Sequence, residues 1–272
     1  MEYQQLPDGT KIPALGIGTW RMGGGLFKAD YSQDHLYIVA IRRAIAAGLT
    51  HIDTAEIYGA GHTEELVGKS IKGFNRKKLF ITTKISPHHL FTQSQIARHA
   101  HASLIRLNID YIDLYLLHAP NPLVSPRRAI VTFDKLIDKK LVRFIGVSNF
   151  SLSQLKQAIK YSKYPIVTNQ VHYNLLNRDC EEKLLPFCQK ESVILTAYSP
   201  LAQGQIVSGR IRLLDEVARK YHKTAPQVAI RWLIDKPNVI TIPKVTTKAH
   251  LDEILGSLGW HLAKGDKELL PF

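Results

Sequence analysis

Eight short runs rich in aliphatic and β-branched residues recur through the chain. They lie at 14–20 (ALGIGTW), 49–53 (LTHID), 79–84 (LFITTK), 111–118 (YIDLYLLH), 143–149 (RFIGVSN), 166–171 (IVTNQV), 193–200 (VILTAYSP) and 239–244 (VITIPK). Most are nearly continuous in apolar residues, as a parallel strand covered on both faces must be. Helix-like stretches lie between them. Residues 34–48 carry apolar side chains at three- and four-residue spacing and stop at Gly48. Capping-box pairs stand at Thr92 and Gln95, Ser151 and Gln154, and Thr224 and Gln227. Ser125 before Pro126 and Thr247 mark two more helix starts. Eight strand–helix alternations in 272 residues predict an α/β fold, a (β/α)8 TIM barrel, with residues 1–272 as one barrel domain. A doubly wound sheet would usually carry a GxGxxG turn after its first strand, and the first run holds only GIG at 16–18. Upstream, YQQLPDGTKIP predicts a short N-terminal β-hairpin around Asp8-Gly9, placed to cap the barrel floor.

Charge and cysteine usage narrow the partners. Lys and Arg total 36 against 23 Asp and Glu, a net charge of +13. The excess is spread along the chain, and its densest cluster, NRKK at 75–78, precedes a strand without interleaved aromatics. A phosphate-bearing cofactor suits that pattern better than nucleic acid. No apolar run reaches the roughly eighteen residues of a membrane span, so no membrane partner is expected. The opening MEYQQLPDGTK has no apolar signal core, which makes the expected compartment cytoplasmic. Cys180 and Cys188 fall in a segment that reads as helix. Eight helical residues separate Cα atoms by about 12 Å, beyond the roughly 7 Å limit of a disulfide, so both are expected as free thiols.

In a barrel of this kind the active site lies at the C-terminal ends of the strands. The runs end in Thr19-Trp20, Asp53, Lys84, His118, Ser148-Asn149, Gln170, Tyr198-Ser199 and Lys244. The successive spacings, Asp53 to Lys84, Lys84 to His118 and His118 to Asn149, are each about one βα unit, so the barrel would gather these residues at one mouth. Tyr58 stands five residues beyond Asp53. A phenol is a poor acid at neutral pH, and a neighbouring ammonium, Lys84, would lower its pKa. A buried lysine needs a counter-charge, which Asp53 can supply. A neutral His118 can orient a carbonyl. The set supplies a proton beside a polarised carbonyl but no obvious nucleophile, which suits hydride transfer from a cofactor. His88 and His89 are adjacent and diverge, His99 and His101 do not share a helix face, and HExxH and CxxC are absent, so no metal site is expected. GGG at 23–25 reads as a flexible loop near the pocket mouth, and Trp20 as a wall of the pocket.

Taken in order, LGIGTW, HIDTAEIYGAGHTEELVG, TTK, YIDLYLLHAP, IGVSNFS, NQVHYN, AYSPLAQG and TIPKVTTKAHLDEILGSLGW resemble the aldo-keto reductases over nearly the whole chain. The resemblance implies a (β/α)8 barrel that reduces aldehydes and ketones with NADPH, less often NADH. It implies Tyr58 as general acid, Lys84 as the group that tunes it, Asp53 as the partner of that lysine and His118 as the carbonyl-orienting residue. Trp20, Tyr58 and His118 would face the substrate, a small-molecule carbonyl compound. Thr19, Trp20 and Asp53 would border the cofactor. Ser148, Asn149 and Gln170 match positions that hold the nicotinamide carboxamide, and Tyr198 matches the aromatic stacked on its ring. Ser199, Leu201 and Gln203 match the loop along the pyrophosphate. Lys244 and Thr247 match the segment around the 2′-phosphate.

The departures carry implications of their own. His250 stands where many NADPH-dependent members have an arginine, and Ile254 where they have an asparagine, although Glu253 before it is retained. Histidine is a weaker phosphate partner than arginine's fixed fork, so NADH use becomes possible beside NADPH. Ala119 follows His118 where tryptophan is common, and the sequence runs only a short way past LGW, without a long C-terminal loop. Both imply an open site that accepts broad or bulky substrates. His172 replaces a frequent glutamate and is expected to be structural. Two other readings stay open at this level: a cofactor-binding regulatory or scaffold barrel with little catalysis, and a Schiff-base lysine at Lys84. A monomer is expected, since no dimerisation segment stands out.

Overall fold

The computed structural model describes residues 1–90, 92–208 and 211–270. An N-terminal antiparallel hairpin, β1 (Tyr3–Gln5) and β2 (Lys11–Pro13), is followed by eight parallel strands in sequential order. These are β3 (Ile17–Gly18), β4 (His51–Asp53), β5 (Phe80–Ile85), β6 (Ile112–Leu117), β7 (Val142–Ser148), β8 (Ile166–His172), β9 (Ile194–Tyr198) and β10 (Val239–Thr241). The ends of the sheet meet through a parallel bridge between Leu15 and Thr241. The Gly16 N–H donates to the Thr241 carbonyl at 2.8 Å, and the Gly18 N–H to the Pro243 carbonyl at 2.9 Å. The GIG segment earns its glycine at this seam: a Cβ on Gly18 would lie 2.5 Å from the Ile242 carbonyl oxygen, closer than packed atoms allow.

Helices α1 (Asp34–Ala46), α2 (His62–Ile71), α3 (Gln93–Leu107), α4 (Pro126–Asp138), α5 (Leu152–Tyr161) and α6 (Leu184–Lys190) follow in turn. They continue with α7 (Gln205–Ser208), α8 (Arg212–Lys220), α9 (Ala225–Ile234), α10 (Lys248–Leu255) and α11 (Lys264–Leu269). All three capping boxes form both of their reciprocal bonds. The Thr247 hydroxyl caps α10 through the His250 N–H at 3.1 Å. Ser125 precedes α4 but its side chain makes no cap bond, so Pro126 alone marks that start. Helix α2 has no counterpart among the expected helices. Its first turn carries Thr63 and Glu64 buried, so the polar face that would have flagged an amphipathic helix is inside. The thiols also differ in setting from the expectation. Only Cys188 lies in a helix and Cys180 sits in the turn before it, yet both are free and buried, and burial pushes each pKa up to about 12.

The hairpin lies across the floor. Its turn residue Asp8 lines an open cleft of about 670 Å³ with Tyr111, just before β6, and Val142 to Phe144, at the start of β7. Glu2 fastens it to α9 by a two-pronged pair with the buried Arg231, at 2.7 and 2.8 Å. Such a fork fixes orientation as well as position. The opposite end of the barrel is left to the strand ends. Among the described residues, no helix is long and apolar enough to cross a membrane.

Candidate active site

Asp53 is the last residue of β4 and is buried. Its Oδ1 forms a close ion pair with the Lys84 ammonium, and its Oδ2 accepts from the Gln170 Nε2 at 2.8 Å. Both oxygens thus receive N–H donors, a setting for the ionised acid. Lys84, near the end of β5, is fully buried. Its three N–H groups have three targets: the Asp53 carboxylate, the Thr54 carbonyl at 3.0 Å and the Tyr58 hydroxyl at 3.4 Å.

The turn between Asp53 and Tyr58 explains that reach. After β4 ends, the Thr54 N–H still donates to the Thr82 carbonyl (2.9 Å) and the Glu56 N–H to the Lys84 carbonyl (3.2 Å). The chain therefore tracks β5 for three more residues before the Tyr58 N–H turns back to the Ala55 carbonyl at 3.1 Å. Beyond Tyr58 the backbone is left-handed at Gly59 (φ 57°) and Ala60 (φ 54°). A Cβ at Gly59 would lie 2.4 Å from the Gly23 carbonyl oxygen, and the Gly59 N–H donates to the Gly25 carbonyl at 2.6 Å. The three-glycine stretch is thus packed onto the turn that carries Tyr58, where a free loop was expected. Buried Glu64 ties α2 to β5 through the Thr83 hydroxyl (2.6 Å) and to α3 through Arg106 (2.6 Å).

Electrostatics set the protonation states. Burial alone would lower the Lys84 pKa, but the Asp53 carboxylate and the Tyr58 phenol more than reverse this, so it lies above its usual 10.5. Burial raises the Asp53 pKa, against the pull of Lys84 and Gln170. Burial also raises the Tyr58 pKa above 10.0, and Lys84 offsets only part of that rise. This corrects the expectation of a lowered phenol pKa: desolvation outweighs the ammonium. His118 follows β6 and meets the Tyr58 ring edge-on at 5.6 Å. Burial, then Lys84, lowers its pKa to about 3, so the imidazole is neutral.

The other expected residues surround this group. Thr19 is buried and donates to the Asp53 carbonyl at 2.9 Å. Trp20, 36 % exposed, meets the Tyr58 ring at 4.9 Å. The Ser148 hydroxyl donates to the Gln170 carbonyl at 2.9 Å. Asn149, with φ 58°, donates to the His118 carbonyl (3.1 Å) and accepts from the Tyr198 hydroxyl (3.0 Å). His172 stacks on Tyr198, with ring centroids 5.4 Å and planes 13° apart. Ser199, Ala202 and Gln203 all have positive φ, an unusual run for non-glycine residues, and Leu201 between them is half-buried. Lys244, beyond β10, has its pKa lowered by desolvation and by the charge of Arg21. Among the described residues neither has an ion-pair partner. Sequence reading missed Arg21, which follows the strand end Thr19-Trp20 in a left-handed conformation. His250 is exposed and bonds to Thr246 at 3.0 Å. Glu253 is taken up by the Thr224 hydroxyl at the start of α9, and Ile254 is core.

Glu56 brings together residues the sequence left apart. His89 and His99 each bond to it, although their neighbours His88 and His101 are exposed and take no part.

A buried, hydrogen-bonded Asp53–Lys84 pair has a measurable signature. Lys84→Met leaves the Asp53 carboxylate buried and unpaired and should cost about 3–5 kcal/mol of folding stability in urea unfolding. Adding Asp53→Asn should restore at least half of that loss. Equal stability of the single and double variants would show that the two groups are not coupled.

Comparison with known proteins is consistent along the whole chain. The sequence profile of the Aldo/keto reductase family matches residues 14–268. Methylglyoxal reductase YeaE of Escherichia coli is 36% identical over 270 residues, 98% of this chain and 92% of that one. The NAD/NADP-dependent indole-3-acetaldehyde reductase of Schizosaccharomyces pombe is 32% identical over 268 residues, 94% of this chain and 88% of its own. A thermostable aldo-keto reductase solved with the inhibitor epalrestat has a TM-score of 0.96 at 44% identity, covering 100% of this chain and 99% of that one. An aldo/keto reductase of Klebsiella pneumoniae in complex with NADP and acetate has a TM-score of 0.89 at 32% identity, covering 98% and 93%.

Proposed function

The chain belongs to the aldo/keto reductase family and is an oxidoreductase, and on that footing we propose that it reduces aldehydes and ketones to alcohols with NADPH, and with NADH as a second donor. The observation that carries this reading is the Tyr58 hydroxyl, 3.4 Å from a buried, charged Lys84 that is itself paired with Asp53. A phenol with a raised pKa keeps its proton at neutral pH, as a general acid must. Lys84 stabilises the phenolate that remains once the proton has gone to the carbonyl oxygen. His118, neutral at any ordinary pH, orients that oxygen without competing for the proton. When bound, the reduced nicotinamide supplies the hydride that the carbonyl carbon receives. The paired Lys84 ammonium has no free lone pair, which speaks against a Schiff-base role.

The residues fit such a cofactor. Arg21 and Lys244, two cations without ion-pair partners among the described residues, would hold phosphate groups. The loop carrying Ser199, Leu201 and Gln203, left-handed at Ser199, Ala202 and Gln203, would lie along the pyrophosphate. The Tyr198 face not covered by His172 would take the nicotinamide ring, and Ser148, Asn149 and Gln170 its carboxamide. Thr19 and Trp20 border the same space, and Trp20 would also touch the substrate. Thr247, His250 and Glu253 belong to the adenosine end in this reading, with Glu253 the least free because Thr224 already holds it. The chain acts as one barrel domain over residues 1–272 and as a monomer in the cytoplasm, a setting in which Cys180 and Cys188 stay reduced.

Tyr58→Phe should lower kcat for carbonyl reduction by about 10²–10⁴ while NADPH still binds and quenches tryptophan fluorescence. Full turnover in that variant contradicts the assignment. Lys244→Met should weaken NADPH at least about tenfold, a loss of about 1.4 kcal/mol, and leave NADH within twofold, as read by the same quenching titration. Equal losses for the two cofactors would remove Lys244 from the 2′-phosphate.

A further inference from the structure

Glu56, in the turn that leads to Tyr58, gathers His89 and His99. Glu56 is 6% exposed. Its Oε1 accepts from the Ser86 N–H at 2.7 Å and from His89 Nδ1 at 2.8 Å, and its Oε2 accepts from His99 Nδ1 at 2.7 Å. The two imidazoles are stacked, with centroids 3.9 Å apart and planes 12° apart. One potential ligand atom from each of the three residues lies within 4.8 Å of the other two. Among the described residues no lysine or arginine pairs with this carboxylate.

We propose that Glu56, His89 and His99 form a binding site for a divalent transition ion of the zinc type. Two imidazole nitrogens and one carboxylate oxygen are a donor set that suits zinc, with remaining positions for water. Because the carboxylate only accepts, each Nδ1 here carries a proton. On binding, each ring exposes its Nδ1 lone pair to the ion and carries its proton on Nε2, with no change of oxidation state. Nearly parallel rings do not aim both lone pairs at one point, so each ring turns about its Cβ–Cγ bond. The side chains of His89 and His99 are 37% and 27% exposed and have room to do so. A cavity of about 210 Å³, lined by Glu56, Ser86, His88, His89 and Arg106 among others, opens beside the group and leaves space for water ligands.

The position gives the ion a task. Glu56 is two residues before Tyr58, and Ser86, bonded to Glu56, is two residues after Lys84. An ion on Glu56 that also grips His89 and His99 would clamp the Tyr58 turn to the turn after β5 and to the middle of α3. This site is independent of the cofactor reading, since its ligands touch none of the residues assigned to NADPH.

The test is titration of the untagged, metal-free full chain with Co²⁺ alone, followed by visible absorption, with Zn²⁺ competition. The structure predicts one Co²⁺ per chain, d–d bands in the visible that Zn²⁺ abolishes, and a rise in unfolding temperature with Zn²⁺. His89→Ala and His99→Ala should each weaken Co²⁺ at least about tenfold, and Glu56→Gln should do the same. His101→Ala, at an exposed histidine outside this cavity, should leave binding unchanged. Absence of the bands in the wild-type chain overturns the proposal. So does equal Co²⁺ binding by the wild-type chain, His89→Ala and His99→Ala, all of which should stay folded because both rings are partly exposed.

Discussion

The ion pair between Asp53 and Lys84 is the interaction around which the barrel mouth is arranged. Neither charge can reach water. Each would cost several kcal/mol if buried alone. The offset comes from full hydrogen-bonding: Gln170 takes the second carboxylate oxygen, and the Thr54 carbonyl and Tyr58 hydroxyl take the remaining ammonium N–H groups. Three strands, β4, β5 and β8, and one turn thus meet at a single pair. The parallel register makes this possible by setting Asp53 beside Thr82 on β5, two residues before Lys84.

The pair also decides what Tyr58 and His118 can be. An ammonium held charged at the barrel mouth lowers the cost of a phenolate, while the dry setting that makes the pair strong raises the cost of every other charge nearby. That is why Tyr58 keeps its proton and His118 stays neutral, with a pKa of about 3. The turn from Thr54 to Ile57 is equally part of the arrangement. By following β5 before it reverses, it brings the phenol to Lys84, and the approach of Gly59 to Gly23 fixes where the turn ends.

Much of this was legible in the sequence because it follows from period and position. Continuous apolar runs gave the parallel strands, the capping boxes gave three helix starts to the residue, and polar residues ending each run marked the mouth. What escaped reading depends on contacts between distant segments. Helix α2 buries its own polar residues, Thr63 and Glu64, and so hides its periodicity. Gly18 and Gly59 serve close backbone approaches that only the closed barrel creates. Arg21 became visible through its effect on Lys244. His89 and His99 were each judged against a sequence neighbour, whereas their partner is Glu56, more than thirty residues away. The direction of the Tyr58 shift required a comparison of burial with charge, and burial was not readable from the motif.

The central claim is that Lys84 is an ammonium locked to Asp53 across the working pH range. Nitrogen-15 NMR of the lysine side chains tests it directly, with the Lys84 Nζ signal assigned by its loss in Lys84→Met. The account predicts a slowly exchanging ammonium that persists at neutral pH and titrates above the usual 10.5. A Lys84 Nζ that titrates as a neutral amine below about pH 8 would contradict it, since a buried lysine without its carboxylate partner is driven neutral.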